Sequence, residues 1–394
     1  MSIVVLIFAA MLAVDAWWWF YADRAVRRRK LPARWRVALG AWCGAMMLGI
    51  VLLIVARALK MHAMIMPETA VLIVYVWHLL MLPVVLVPSL AQALGVAVIR
   101  LAARAKAEPP PPDLLPNPAR RAFIAQALVI APPVATLAMV GKAAYDADHF
   151  TVRRATLALK ALPRGLDGTT IAFVSDPHIG SFMTDHKYRS IISATNELDA
   201  DLVLHGGDLI NSSLADLPDG IDMLRNLRGR YGVWSCEGNH DCIESRGAFE
   251  RDTTRAGVGM LLDEIQTVRV RGVDLQIVAP RWARARTEQS LQATARDLIA
   301  QRRTDLFSIL LAHHPHSFDA AAAAGVPLTL AGHTHGGQLG LSPRYSIGRF
   351  MYRYHSGEYR IGDAACTVSN GVGNWFPLRV NVPAEIVHLT LTCA

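Results

Sequence analysis

Aspartate, asparagine and histidine gather in five short clusters between residues 176 and 338. They read Asp176-Pro177-His178, Gly206-Gly207-Asp208, Gly238-Asn239-His240-Asp241, His313-His314-Pro315 and Gly332-His333-Thr334-His335-Gly336-Gly337-Gln338. Carboxylate, imidazole and amide oxygen make a borderline-hard donor set that accepts Mn, Fe or Zn. Two such cations about 3.5–4 Å apart need a bridging carboxylate and a bridging water or hydroxide. Asp208 is the single acid of its glycine turn and the bridge this pattern offers. Glycines beside it let backbone approach the metals closely. The chemistry is in-line attack of a metal-activated hydroxide on phosphorus.

These clusters need elements to hold them. From about residue 165 short β-rich runs alternate with helical stretches. Strands are expected at 169–175, 201–205, 231–235, 275–279, 307–312, 328–331 and 386–391. Helices are expected near 187–198, 218–228, 243–256, 288–302 and 317–324. Strands alternating with helices imply a layered α/β domain. Each cluster lies just beyond a strand, where such folds collect their sites, so all five converge on one sheet edge.

In this order and spacing, DPH, GGD, GNHD, a His before a His-Pro pair, and GHTH resemble the calcineurin-like metallophosphoesterase superfamily. The opening LPRGLDGTTIAFVSDPHIG (Leu162–Gly180) and the closing SNGVGNWFPLRVNVPAEIVHLTL (Ser369–Leu391) resemble its membrane-associated bacterial branch. The resemblance covers roughly residues 165–392. It implies a four-layer α/β/β/α domain over 150–394 and two divalent metal ions. One metal would be held by Asp176, His178, Asp208 and His335, the other by Asp208, Asn239, His313 and His333. His240 is implied as the residue that stabilises phosphate charge or protonates the leaving oxygen, with Asp241 orienting it. Neutral imidazole is the ligand form, so activity is expected to fall in acid.

Several positions depart from the family pattern. Pro177 stands between two ligands without altering their spacing, and His205 precedes the GGD turn. His314 and His316 crowd His313; His313 is preferred as the ligand because it ends its strand. Cys236 and Cys242 flank the GNHD cluster and either pair or remain thiols; Cys366 and Cys393 are equally open. His78, His149, His186, His355 and His388 belong to no motif and read as packed or surface residues. Asp15, near an aromatic boundary, is expected to reach lipid headgroups.

The amino-terminal third is of another kind. Of 394 residues, 53% are hydrophobic and 18% charged, which excludes a disordered chain and a purely soluble enzyme. Residues 1–141 carry 14 Lys/Arg against 5 Asp/Glu; the remainder carry 26 against 27. A basic excess confined to apolar segments suggests membrane topology, whereas nucleic-acid binding would need it on the folded domain. Four apolar stretches are present: Ser2–Tyr21, Val37–Val55, Ala70–Ile99 and Phe123–Val140. About 20 apolar residues make one crossing, and the third stretch, with Pro83 and Pro88, is expected to cross with a kink or tilt. This divides the chain into about three transmembrane helices (1–106), a proline-rich, non-helical linker (107–119) and a fourth segment (120–145). Arg120-Arg121-Ala122-Phe123-Ile124 opens that segment and resembles a twin-arginine export signal, although an ordinary positive flank reads the same. With one crossing of the third stretch, basic first and third loops place the remainder outside the cytoplasm at a bacterial inner membrane, and two crossings would invert this.

Membrane-anchored phosphohydrolysis is therefore expected, on a phosphodiester or pyrophosphate, with a lipid-linked substrate favoured by the tether. Two other classes compete: a non-catalytic membrane sensor with a metal-binding domain, and a nuclease. A complete ligand set disfavours the first, and the neutral charge of the domain disfavours the second.

Overall fold

The computed structural model describes residues 3–28, 30, 32–58, 66–105, 118–180, 182–283 and 287–394. They form two units, Met1–Ala144 and Tyr145–Ala394.

The first unit is helical. Its helices are Ile3–Arg28, Ala33–Ala58, Glu68–Val76, Leu82–Ala105 and most of Pro118–Asp148, the last turn of which belongs to the second unit. A π-helical turn, Trp77–Met81, joins Glu68–Val76 directly to Leu82–Ala105. The stretch from 70 to 99 is thus one continuous helical rod, and the irregular turn sits just before Pro83, which has no N–H to offer. Two windows, Ala33–Ala56 and Thr69–Val87, are long and apolar enough to cross a membrane by length and composition. Asp15 corrects the expectation made for it: its side chain is fully buried, accepts a hydrogen bond from Trp77 Nε1 at 2.7 Å and lies 2.9 Å from His78 Nε2. His78 Nδ1 donates to the Val74 carbonyl at 2.8 Å. These two ionisable groups answer one another because neither can be left unpaired in an apolar bundle. Most of the proline-rich stretch lies outside the described residues. Its end corrects the non-helical expectation, because Pro118 and Ala119 begin the last helix of this unit, and proline suits a first helical position.

The second unit holds fourteen strands among the described residues: β1 Phe150–Leu159, β2 Thr170–Val174, β3 Leu202–His205, β4 Val233–Cys236, β5 Met260–Leu261, β6 Glu264–Val270, β7 Val273–Ala279, β8 Phe307–Leu311, β9 Leu328–Ala331, β10 Gly340–Ser342, β11 Tyr345–Ser346, β12 Gly357–Ile361, β13 Ala364–Val368 and β14 Ala384–Cys393. One six-stranded sheet runs β1-β14-β2-β3-β4-β5 and a second runs β12-β13-β9-β8-β7-β6. Both are mixed: β2, β3, β4 and β5 are mutually parallel, as are β13, β9, β8 and β7, while β14 is antiparallel to β2 and β6 to β7.

Alternation within the strands decides the layering. Ile171, Phe173, Leu204, Leu275, Ile277, Ile309 and Leu330 meet in one core shared by the two sheets. Ala172, Val174 and Val203, from the other face of the first sheet, pack with Ile191, Met223, Leu224 and Phe249 of helices Asp185–Glu197, Leu217–Asn226 and Arg246–Ala256. Val278 and Leu310 of the second sheet pack with Ala295, Leu298 and Ala321 of helices Glu288–Ile299 and Ser317–Ala323. The order helix, sheet, sheet, helix follows from strands buried on both faces. Helix ends are set locally. Thr184 and Ser245 accept from backbone N–H groups at the amino ends of two helices, Thr287 and Ser290 form a reciprocal box, and Gly257 closes Arg246–Ala256 with a left-handed backbone.

Candidate metal centre

The expected site residues occupy the loops that leave β2, β3, β4, β8 and β9, all at the carboxyl ends of parallel strands. The backbone there is unusual. Asp176, His178, Asp208, His333 and His335 all have positive φ, between 47° and 69°. A non-glycine residue costs about 1–3 kcal/mol in such a conformation, and such strain gathers where a site demands it. Here it falls on both members of the two i, i+2 pairs, Asp176 with His178 and His333 with His335, and on Asp208. Gly207 and Gly238 remove the remaining obstruction. A Cβ on Gly238 would stand 2.1 Å from Asp208 Oδ1, and one on Gly207, itself at φ 89°, would stand 2.9 Å from the His313 ring.

Two clusters result, joined by a third group, His178, Asp208 and His240, that shares one residue with each. In the first, Asp176, His178 and His335 present ligand atoms within 4.8 Å of one another. His335 Nε2 is 2.9 Å from His178 Nε2 and 3.3 Å from Asp176 Oδ1. In the second, Asp208, His313 and His333 do the same. His313 Nε2 is 3.2 Å from Asp208 Oδ2, and Asn239 Oδ1 lies 2.7 Å from His333 Nδ1 and 3.2 Å from His313 Nε2. Asp208 Oδ2 also lies 3.5 Å from His178 Nε2, so this one oxygen faces both clusters. His314 is not in either cluster; its ring packs on those of His333, His316 and Trp282.

Electrostatics favour the ligand forms. Burial pushes the carboxyls of Asp176 and Asp208 up, but the surrounding imidazoles, His335 for the first and His313 for the second, hold both well below the usual range. Burial drags His333 down to about 3 and His178 far below its ordinary value. His313 is the exception: burial lowers it, and the Asp208 carboxylate more than reverses that, to about 9. Carboxylate anions among largely uncharged imidazoles and an amide oxygen fit a pair of divalent cations.

The surrounding groups include some that sequence reasoning missed. No hydrogen bond joins Asp241 to the His240 ring among the described residues: the Asp241 carboxyl group, which burial and the Asp208 charge push up to about 8, accepts from Gly238 N at 2.8 Å and Ile210 N at 3.1 Å, bracing the turns that carry Asn239 and Asp208. The His240 ring is instead held by the Asn211 carbonyl at Nδ1, and its backbone N–H donates to Asp208 Oδ1 at 2.7 Å. The His240 and His178 rings meet edge to face with centroids 4.5 Å apart. Arg379 is fully buried behind His335, 3.3 Å from its Nδ1, and donates to the Asn370, Gly373 and Val382 carbonyls. It sits within the PLRV run of the closing segment, the one signal that could have found it. Trp282 stacks near His313 and His333, and its backbone N–H donates to the buried Glu237 at 2.9 Å. His205 is buried with Nδ1 2.7 Å from Ser235 Oγ. All five cysteines are free, which decides the open question at Cys236 and Cys242 in favour of thiols.

Paired mixed sheets with a rim of Asp, His and Asn donors define a layered α/β class with a candidate metal centre. The model of the calcineurin-like phosphoesterase family matches residues 169–337. An uncharacterized metallophosphoesterase of Bacillus subtilis, YkuE, is 30% identical over 250 residues, which is 60% of this chain and 83% of that protein. An uncharacterized metallophosphoesterase of Helicobacter pylori is 29% identical over 224 residues, 56% of this chain and 59% of its own length. A transmembrane protein with metallophosphoesterase domain from Danio rerio is 27% identical over 259 residues, 60% of this chain and 56% of that one. The chain thus spans little more than half the length of several of its curated relatives, which occur in bacteria and animals alike. It belongs to the calcineurin-like metallophosphoesterase family.

Proposed function

We propose that the protein is a membrane-anchored phosphohydrolase with two divalent cations, cleaving a phosphodiester or pyrophosphate bond. The supporting observation is Asp208, whose Oδ2 lies 3.5 Å from His178 and 3.2 Å from His313 and so joins the two clusters. In this reading Asp176, His178, Asp208 and His335 hold one cation; Asp208, Asn239, His313 and His333 hold the other. Bound cations of this kind, Mn, Fe or Zn, supply Lewis acidity and an activated water. The chain supplies the remainder. The Asn211 carbonyl accepts from His240 Nδ1–H, which leaves Nε2 to exchange a proton with the leaving oxygen. Asp241 holds the two turns in register, and Arg379 braces the back of His335.

Anchoring falls to the helices of the first unit, two of which are apolar enough to cross a bilayer. The basic residues between the apolar stretches favour a multi-pass arrangement in a bacterial inner membrane with the hydrolase unit outside the cytoplasm. A tethered enzyme meets phosphates of lipids first, which favours a lipid-linked phosphate ester and disfavours nucleic acid. The test uses the full chain in detergent, loaded with Mn or Zn, on bis(4-nitrophenyl) phosphate. Asp208→Asn should lose metal and activity together. His240→Ala should keep both metals and lose roughly 10²–10⁴ of the rate, the usual contribution of a positioned acid. Unaltered rates in both variants would remove the proposed site. A screen of nucleotides, phospholipids and polyprenyl pyrophosphates then identifies the substrate.

A further inference from the structure

The loop that carries His333 and His335 continues into a hairpin that belongs to neither large sheet. β10 and β11 pair only with each other, and a short turn of helix, Gly348–Met351, follows. This lip is locked to the site: Ile347 N donates to the Leu339 carbonyl at 2.9 Å, Gly348 backbone packs on Gly336 and Gly337, and the ring of Tyr352 lies 5.7 Å from that of His333. Its outward side chains are not those of a solvated hairpin. Leu341 is 87% exposed, Phe350 89% and Met351 63%, with Tyr345 and Ile347 also exposed. Between them stand Arg344 and Arg349, neither of which has an acidic partner among the described residues; Arg349 lies over the Tyr345 ring at 5.7 Å. Behind the lip is a cavity of about 780 Å³, lined in part by Arg153, Arg344, Arg349, Tyr345, Tyr359 and Asn370. Arg153 is paired with two carboxylates of the same lining, Glu358 and Glu385, whereas Arg344 and Arg349 have no acidic partner of their own among the described residues, so the cavity is cationic only at its lip.

We infer that this lip, residues 339–352, docks on an anionic lipid surface, with Leu341, Phe350 and Met351 entering the acyl boundary and Arg344 and Arg349 meeting headgroup phosphates. The pattern of apolar tips, an amphipathic tyrosine and unpaired cations matches that boundary, where each layer takes the groups suited to it. A soluble protein partner would need acidic residues set among apolar ones, whereas a bilayer containing anionic lipid supplies both from one source. Because the lip is continuous with the metal loop, docking would deliver headgroup phosphates to the rim of the site. The inference deepens the lipid-linked reading of the same site and rests on it.

Hydrogen exchange of the full chain in lipid nanodiscs tests the inference. Discs of phosphatidylcholine are compared with discs that also hold phosphatidylglycerol, and neutral discs are repeated with inorganic phosphate. Amides of 339–352 should exchange several-fold more slowly in the anionic discs alone. At roughly fivefold in partition per arginine near an anionic surface, Arg344→Gln with Arg349→Gln should abolish the protection. Leu341→Ser with Phe350→Ser should also abolish it, and unchanged exchange in β7 and β8 shows that either variant still folds. Equal exchange in neutral and anionic discs overturns the inference. So does protection by inorganic phosphate in neutral discs, which would mean a free-anion cavity, or protection that follows protein per disc, which would mean a second copy. Failure of the phosphohydrolase reading would appear separately, as no hydrolysis of the soluble diester by the same preparation.

Discussion

Gly238→Ala is the most demanding perturbation of the proposed centre, because it alters no donor. The new methyl would stand 2.1 Å from Asp208 Oδ1 and 2.4 Å from Asp208 N, where ordinary contact begins at 3.4 Å. Neither atom yields freely: Oδ1 already accepts from His240 N at 2.7 Å, and the Gly238 N–H is held by Asp241 at 2.8 Å. Relief therefore requires Asp208 and the Asn239 turn to separate by about 1 Å, and a misplacement of that size costs on the order of 10² in rate. Overpacking of this kind also destabilises by about 1–3 kcal/mol. Metal content by mass spectrometry and diester hydrolysis at saturating Mn are the assays. The expected result is loss of at least one metal equivalent and about a hundredfold loss of rate. Gly247→Ala is the control: nothing lies within 4 Å of its Cβ position, and it sits in helix Arg246–Ala256. That variant should keep full activity and gain about 0.4–1 kcal/mol by stiffening the unfolded chain. Gly238→Ala retaining both metals and activity within threefold of the parent would refute the idea that Asp208 is the shared ligand.

Three further outcomes follow from the same geometry. Lys187 is almost wholly buried, donates to the Ala147 carbonyl, and is drawn down to about 7 by burial and by the charge of Arg379. Its folded value lies below the unfolded value near 10.4, so the unfolded chain binds more protons between the two. Stability should therefore rise with pH through that window, by up to about 1.4 kcal/mol per unit. Lys187→Met should flatten the rise in pH-resolved denaturation curves. Chelation with EDTA should abolish diester hydrolysis, with Mn or Zn restoring it; full activity in the chelated protein counts against the two-cation reading. Thiol alkylation of the unfolded, unreduced chain should find five reactive cysteines, with no effect of reductant on Tm.

Much of the domain was legible because its signals are local. A strand buried on both faces announces itself as a short apolar run, and TIAFV, LVLH, FSILL and LTLA all lie where the pattern placed strands. The edge strands were not legible. β1, β6 and β12 carry alternating polar residues, and their identity as strands depends on partners distant in the chain, such as β14 for β1. The helices that cover the sheets were readable to within a few residues because their caps, Thr184, Ser245 and Thr287, are adjacent in sequence to what they cap.

By itself the amino-acid order determined which donors leave which strands, since residue type and position after a strand are local properties. It could not determine what those donors touch. Tertiary structure decided that Asp241 braces two turns while the Asn211 carbonyl holds His240, that His313 rather than His314 faces Asp208, and that Asp15 meets His78 across the helices of the first unit. Each of those choices depends on a backbone direction and on a partner brought in from elsewhere in the chain. Hydrogen bonds and burial act over a few ångströms of space, and only the folded chain defines that distance.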